Sequence, residues 1–254
     1  MRKEPKKDSE LISEAYCSEE VRLLEKQEEW ASIETAVDSY RGWVYLNCLT
    51  FRKEPFVSDA AVQRCSAHVY SREDTTLGPI VTLPFDTGLK VLSSKDHRWI
   101  HVALVDGQEG YIQRGDITFD RSSFEKKEDL KLFSLQFLGL PYTWGGRSSF
   151  GFDCSGFVQM LYRHMGYQIP RDAKDQMSWE GFTDTSIENL KSGDLIFWGS
   201  SPREIRHVGM YLENHRFIHA TVAENAPYIR VSYLSDPEWN GLGRWSHREA
   251  RTLA

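Results

Sequence analysis

Long apolar runs are missing from this chain of 254 residues, and without about 18 consecutive apolar positions a membrane-spanning helix is excluded on length alone. The first ten residues, Met1 to Glu10, are charged and are not followed by the apolar stretch of about 7–15 residues that a secretion signal needs. Export by that route is therefore not expected, and a cytoplasmic location is. A cationic surplus is missing as well. With 31 Lys and Arg against 37 Asp and Glu, the net charge is −6 and the pI near 5.8, so phosphate backbones find no broad attraction and nucleic acid is not an expected partner. Cysteine is scarce: Cys17, Cys48, Cys65 and Cys154 form no CxxC pair and have no histidine at zinc-finger spacing, so neither a metal site nor a disulfide scaffold is indicated. Three of the four are expected to be small buried hydrophobes. What remains is 40% hydrophobic and 13% aromatic, with eight Trp, enough apolar surface for real cores and for two or three compact units.

From about Leu11 to Asp120 short apolar runs are broken by polar and Gly-containing turns with little 3.6-residue periodicity, which predicts small β units. A pattern recurs there. Trp30-Ala-Ser-Ile33, Asp38 and Gly42-Trp43-Val44 return about 69 residues later as Trp99-Ile-His-Val102, Asp106 and Gly110-Tyr111-Ile112. Each copy reads as a strand opened by an aromatic, a turn, and a second strand. The repetition resembles tandem SH3-like barrels of the bacterial type, placed at residues 1–60 and 61–122. Arg121 to Lys131 is charged and poor in β-branched residues, as a linker is, and a larger domain is expected over 123–254. Its first helix, from Glu125 through Leu130, Phe133 and Phe137, ends at Gly139 and Pro141.

Cys154 stands apart from the other cysteines. After it, Phe157, Val158, Leu161, Tyr162 and Met165 recur at helical spacing, with Arg163 and His164 on the other side, so it sits at the first turn of an amphipathic helix. Unpaired N–H groups and the positive end of the helix dipole favour a thiolate there, and the thiolate is the nucleophile. Gly145, Gly146, Gly151 and Gly156 allow close approach of backbone or substrate.

A nucleophilic thiol needs a base, and His207 is the candidate. Gly193–Trp198, Arg206–Leu212 and Arg216–Ala220 read as three strands of an antiparallel meander, which can bring His207 and His219 onto neighbouring strands. One imidazole would take the thiol proton and the other would orient the first. Strand parity makes a demand here. A strict two-residue turn at Asn214-His215 pairs Leu212 with Phe217, an odd sum, and sends the two histidines to opposite faces. A three-residue loop or a bulge near Glu213 to Arg216 is therefore predicted.

Taken together, Asp153-Cys154-Ser155-Gly156-Phe157-Val158-Gln159, Pro170-Arg171, Gly193-Asp194-Leu195-Ile196-Phe197, His207-Val208-Gly209-Met210-Tyr211 and Phe217-Ile218-His219-Ala220 resemble the NlpC family of bacterial peptidases across most of Tyr142 to Ala220. The resemblance implies an α+β, papain-like catalytic domain in which a helix carrying the cysteine packs on an antiparallel sheet. It implies hydrolysis of the γ-D-glutamyl to diamino-acid bond in peptidoglycan stem peptides, with peptidoglycan-derived peptides as partners, and it brings no metal or organic cofactor. Under it Cys154 attacks the carbonyl, His207 shuttles the proton and His219 fixes the ring. The Cys154 N–H, helped by Tyr142, would stabilise the oxyanion. Asp153 and Ser155 are the positions for substrate polar groups, although Asp153 is also a good N-cap. Arg171 could meet a substrate carboxylate or form a salt bridge within the fold. Where relatives often carry a small hydroxyl after the Pro-Arg pair, this chain has Asp172-Ala173. Cytoplasmic relatives with SH3-like domains recognise a free N-terminal amine, which suggests Asp38 and Tyr40 for that contact; turn formation and packing are the other uses of these two residues. Other readings of the same residues are an amidase between muramic acid and L-Ala, a less specific wall hydrolase, and a wall-binding scaffold with an inert cysteine.

Overall fold

The computed structural model describes residues 1–95, 97–120, 123–242 and 245–254. They form two compact units, Met1–Ser122 with Ser148–Phe150, and Ser123–Arg147 with Gly151–Ala254.

In the first unit the repeated Trp pattern becomes two hairpins. Strands β1 (Val21–Gln27), β2 (Trp30–Thr35) and β3 (Arg41–Tyr45) make an antiparallel sheet in which Trp30 opposes Tyr45. Its inward residues Ala31 and Ile33 build a small core with Val21, Leu23 and Val44. A second sheet holds β4 (Ala60–Val62), β5 (Ser66–Tyr70), β6 (Val81–Pro84), β7 (Gly88–Ser93), β8 (Trp99–Ala103), β9 (Glu109–Gln113) and β10 (Ile117–Thr118), in the order β10-β4-β7-β8-β9-β5-β6. There Trp99 opposes Gln113, and Val69, Leu89, Ile100, Val102 and Ile112 fill the core. A one-turn 3-10 helix follows each hairpin, at Leu46–Cys48 and Arg114–Asp116. The expected barrels are not closed among the described residues. Three strands are too few to close, and the larger sheet ends in the two-residue β10 on one side and the short β6 on the other. The cysteine expectation also needs correction: Cys17 and Cys48 are exposed and Cys65 half-buried, because Cys17 lies in a turn and Cys48 closes a 3-10 turn outside the sheets.

The second unit opens with α1 (Lys127–Leu135), followed by turns to Gly139, whose φ of +81° suits glycine. Of the charged linker read at Arg121 to Lys131, Arg121 and Ser122 lie outside the described residues, and its last residues belong to α1. A tight hairpin of β11 (Arg147–Ser148) and β12 (Gly151–Phe152) then feeds α2 (Cys154–Arg163). Every residue of α2 from Cys154 to Tyr162 is buried, so the helix is enclosed rather than amphipathic at a surface. After α3 (Ala173–Met177) come β13 (Phe182–Thr185), β14 (Leu195–Gly199), β15 (Ile205–Glu213), β16 (Arg216–Thr221), β17 (Tyr228–Tyr233) and β18 (His247–Leu253). They form one antiparallel sheet in the order β13-β18-β14-β15-β16-β17, and α2 packs on β15 and β16. A helix carrying the cysteine against an antiparallel sheet is the α+β arrangement expected for the catalytic part.

One buried ion pair ties α1 to the sheet. Asp194, 1% exposed, accepts from Lys127 Nζ at 2.7 Å and from the Lys191 amide at 2.8 Å, while the same Nζ reaches Thr252 Oγ1 at 2.7 Å. Removing the cation leaves a carboxylate buried without its counter-charge. Lys127→Met is expected to lower the stability of the second unit by about 3 kcal/mol, read from the urea unfolding midpoint.

Candidate active site

Cys154 is the first residue of α2, and the turn before it holds its position. Asp153 is the N-cap, with Oδ1 accepting from the Gly156 amide at 2.7 Å. The Asp153 amide donates to Gly146 O at 3.0 Å, and a side chain at Gly156 would meet that same carbonyl oxygen at 2.2 Å. Glycine at 156 is thus required for the helix to start this close to the Gly145-Gly146 turn. Arg171, 3% exposed, closes the arrangement from below, donating to Asp153 Oδ1 at 3.0 Å, Asp153 Oδ2 at 2.5 Å and Ser155 Oγ at 2.9 Å. The Gly145 amide adds a further bond to Asp153 Oδ2 at 3.1 Å. Asp153, Ser155 and Arg171 are therefore bound to one another and to the helix start. Of the two uses open to Asp153 and to Arg171, the structure displays the cap and the internal salt bridge.

The histidines come from the meander. Asn214 and His215 both have positive φ, as a two-residue type I′ turn requires, and Glu213 opposes Arg216. The register then shifts between Tyr211 and Glu213, so that Tyr211 opposes Phe217 and Met210 opposes Ile218. The turn is tight, and a bulge at Leu212 restores the even sum. His207, Gly209 and His219 consequently share one face. His207 Nε2 and His219 Nδ1 lie 2.7 Å apart, both rings buried. At Gly209 an added Cβ would stand 2.8 Å from the Phe217 ring and 3.2 Å from His219 Cβ, so only glycine leaves room for the pair.

Two residues of this face escaped the sequence reading. Ser232 on β17 has its Oγ 3.0 Å from His219 Nε2 and is 4% exposed. Trp239 covers both imidazoles, its ring centroid 4.7 Å from each, and its carbonyl accepts from Trp198 Nε1 at 3.1 Å. The β16–β17 register could have pointed to Ser232, since Phe217 opposes Ser232 and puts it on the His219 face. Trp239 lies outside any strand or helix, where periodicity carries no signal.

Cys154 begins the helix that packs on β15, the strand that carries His207. His207 gives its Nε2 to His219, which leaves Nδ1 as the nitrogen for the thiol proton. Burial pushes the Cys154 thiol up to about 12, with the Asp153 charge adding to it; the Val208 amide, Arg171 and the Ser155 amide pull the other way. Burial pulls His207 down to about 3, and His219 well below its ordinary value, with the His207 and Arg230 charges adding to the latter shift. The expected helix-terminal thiolate is thus outweighed by desolvation at rest. Burial thus favours the thiol and the neutral imidazole at rest. Tyr142 also has its phenol raised, by burial first and then by the Cys154 and Asp153 charges. Asp38 and Tyr40 lie in the first unit. Asp38 Oδ1 accepts from Thr35 Oγ1 and from the Tyr40 amide, and Tyr40 packs against the Ala31–Ile33 core. Among the described residues no group of three or more His, Cys, Asp or Glu is arranged to hold a metal ion.

Helix-borne thiol and strand-borne imidazole are the parts with which papain-like cysteine peptidases open amides, and the second unit is a domain of that class. Residues 139–241 match the NlpC/P60 family, and residues 1–49 match the bacterial dipeptidyl-peptidase Sh3 domain. The chain is 31% identical over 261 residues to a γ-D-glutamyl-L-lysine dipeptidyl-peptidase of Bacillus cereus (strain ATCC 10987 / NRS 248), covering 93% of this chain and 76% of the relative. It is 29% identical to the protein of the same name from Bacillus subtilis (strain 168), over 84% of this chain and 73% of that one. The crystal structure of an NlpC/P60 family protein from Bacillus cereus ATCC 10987 superposes with a TM-score of 0.80 at 27% identity, covering 95% of this chain and 81% of that chain. The chain belongs to the NlpC/P60 family of cysteine peptidases.

Two outcomes follow from this geometry. Gly209→Ala should cut the rate of amide hydrolysis by roughly 100-fold and lower the stability by about 1–3 kcal/mol, because the new methyl must push the buried Phe217 and His219 rings aside. The buried imidazoles also set a pH dependence. Both folded pKa values lie below the unfolded value near 6.5, so the stability the neutral rings contribute is complete above about 6.5 and is lost as the pH falls below it, in the case of His207 down to about 3. Each adds at most ~1.4 kcal/mol per pH unit below about 6.5, and His219→Gln should give a visibly shallower slope in urea unfolding between about pH 6.5 and 5.

Proposed function

We propose that this chain hydrolyses the bond between γ-D-glutamate and the diamino acid of peptidoglycan stem peptides, with Cys154 as nucleophile, His207 as base and His219 as the group that orients it. The observation that carries this is the buried thiol beside the His207 strand in a chain whose relatives, matched along both units, are named γ-D-glutamyl-L-lysine dipeptidyl-peptidases. The Cys154 amide, an unpartnered donor type at a helix start, and the Tyr142 phenol serve the oxyanion. Asp153, Ser155 and Arg171 contribute by fixing that helix start, with Ser155 the member nearest a substrate role. Asp38 and Tyr40 are assigned to the free amine of the peptide, a role that has to be compatible with Asp38 holding its turn. We read residues 1–60 and 61–122 as two SH3-like domains, the first of which carries the match at 1–49.

The substrates are taken to be free, wall-derived peptides and the compartment to be the cytoplasm. Four cysteines without a disulfide, two of them exposed, support a reducing location. No helix among the described residues is long and apolar enough to cross a membrane.

Mass analysis of products from L-Ala-γ-D-Glu-diaminopimelate and L-Ala-γ-D-Glu-L-Lys peptides, free and attached to muramic acid, tests the assignment. The expected products are the L-Ala-γ-D-Glu dipeptide and a fragment that begins with the diamino acid, and none with Cys154→Ala. Release of the whole peptide from muramic acid would identify an amidase instead, and wall binding without any product, equal in Cys154→Ala, would identify a scaffold.

A further inference from the structure

The buried chain His207–His219–Ser232 contains no carboxylate, and that places a requirement on its last member. When His207 takes the thiol proton, both of its nitrogens carry hydrogen, and Nε2–H must donate to His219 Nδ1, 2.7 Å away. His219 can accept there only in the tautomer that carries its hydrogen on Nε2. That Nε2 is 3.0 Å from Ser232 Oγ in a region where His219 is fully buried and Ser232 is 4% exposed. Among the described residues, the rings packed against the imidazoles are those of Trp198, Phe217 and Trp239, which offer no acceptor oxygen, and the nearby Arg230 is cationic. At rest a hydroxyl can point either way, giving the chain two polarities. In one of them Ser232 donates, His219 carries hydrogen on Nδ1, and His207 Nδ1 is already protonated and useless as a base. Once His207 is charged only the opposite polarity survives, with Ser232 as the terminal acceptor.

We propose that Ser232 is a positioning residue for the reaction: its hydroxyl oxygen holds His219 in the Nε2–H tautomer and so keeps His207 Nδ1 open for the Cys154 proton. In the step itself the S–H bond breaks and its proton goes to His207 Nδ1, while sulfur bonds to the carbonyl carbon and the C=O π pair moves onto the oxygen to give the tetrahedral oxyanion. No proton passes to His219 or Ser232. This inference rests on the reading of His207 as base.

The test uses the full chain in three forms: wild type, Ser232→Ala and Ser232→Thr. With a γ-D-glutamyl peptide, Ser232→Ala should lose roughly 10- to 100-fold in kcat with KM within about twofold, since a wrong tautomer damages the step and not the binding. Ser232→Thr keeps the hydroxyl and should recover most of the loss. Nitrogen-15 NMR of the histidines should show hydrogen on Nε2 of His219 in the wild type and a shift toward Nδ1 in Ser232→Ala. Unchanged kcat in Ser232→Ala overturns the proposal, as does Ser232→Thr falling as low as Ser232→Ala at an unaltered unfolding midpoint. Hydrogen on Nδ1 of His219 in the wild type overturns it even if both variants fail to fold. Should the wild type cut no γ-D-glutamyl peptide, the assigned substrate fails by itself. The tautomer measurement, and the rate of Cys154 alkylation by iodoacetamide across the three forms, still decide the role of Ser232.

Discussion

The hydrogen bond between His207 and His219 exists because β15 has one residue more than β16 between the Asn214-His215 turn and the paired rings. The turn fixes Glu213 opposite Arg216, and a regular ladder continued from there would keep every paired sum odd. His219 would then emerge on the face of Val208 and Met210, away from His207. The bulge at Leu212 moves the count by one, and from Tyr211 onward the odd-numbered residues of both strands look the same way. A single unpaired backbone position thereby decides whether this sheet can hold a base at all. Gly209 completes the effect, because the bulge brings its Cα against His219 and any side chain there would occupy the same volume.

The environment so created is apolar and almost free of charge. Trp198, Phe217 and Trp239 surround the two rings, and the effect of burial on both imidazoles runs in the same direction, toward the neutral form. A carboxylate at the end of such a relay would favour a charged imidazole at rest; histidine and serine instead supply fixed dipoles that act once charge appears. The thiol is treated alike, since burial and Asp153 favour the protonated sulfur while the Val208 and Ser155 amides favour the anion. In the proposed reaction, charge separation would be left to the moment at which a carbonyl carbon comes within reach of sulfur.

Much of this arrangement was legible in the residues because it rests on periodicity. Helical spacing after Cys154 and alternation around His207 and His219 are local signals, and parity arithmetic at Asn214-His215 converts them into a demand on the loop. The bulge, with a tight turn and not a longer one, is how the chain meets it. What periodicity could not supply was partnership. Arg171 and Asp153 are 18 residues apart and find each other through the fold, so a substrate contact and a salt bridge look identical in sequence. Trp239 reaches the histidines from an irregular segment. The first unit shows the same limit, because the Trp and Gly repeat marks two hairpins without fixing how many strands pair around them, and open sheets stand where barrels were expected. Cys17 and Cys48 were read from composition, which says nothing about the turns that expose them.

Two rigid platforms, each with its own internal fixings, meet at the sulfur. On one side the Asp153–Arg171 pair, the Gly156 amide and the Gly145-Gly146 turn determine where α2 begins, and a helix buried along nearly its whole length has little freedom to shift. On the other, the bulge, Gly209 and Trp239 determine where the imidazoles stand. The two meet where α2 packs on β15, the strand that carries His207. The placing of Cys154 relative to that strand therefore follows from helix-on-sheet packing. That explains why the residues at this junction, Gly156 and Gly209, are those whose side chains had to be absent.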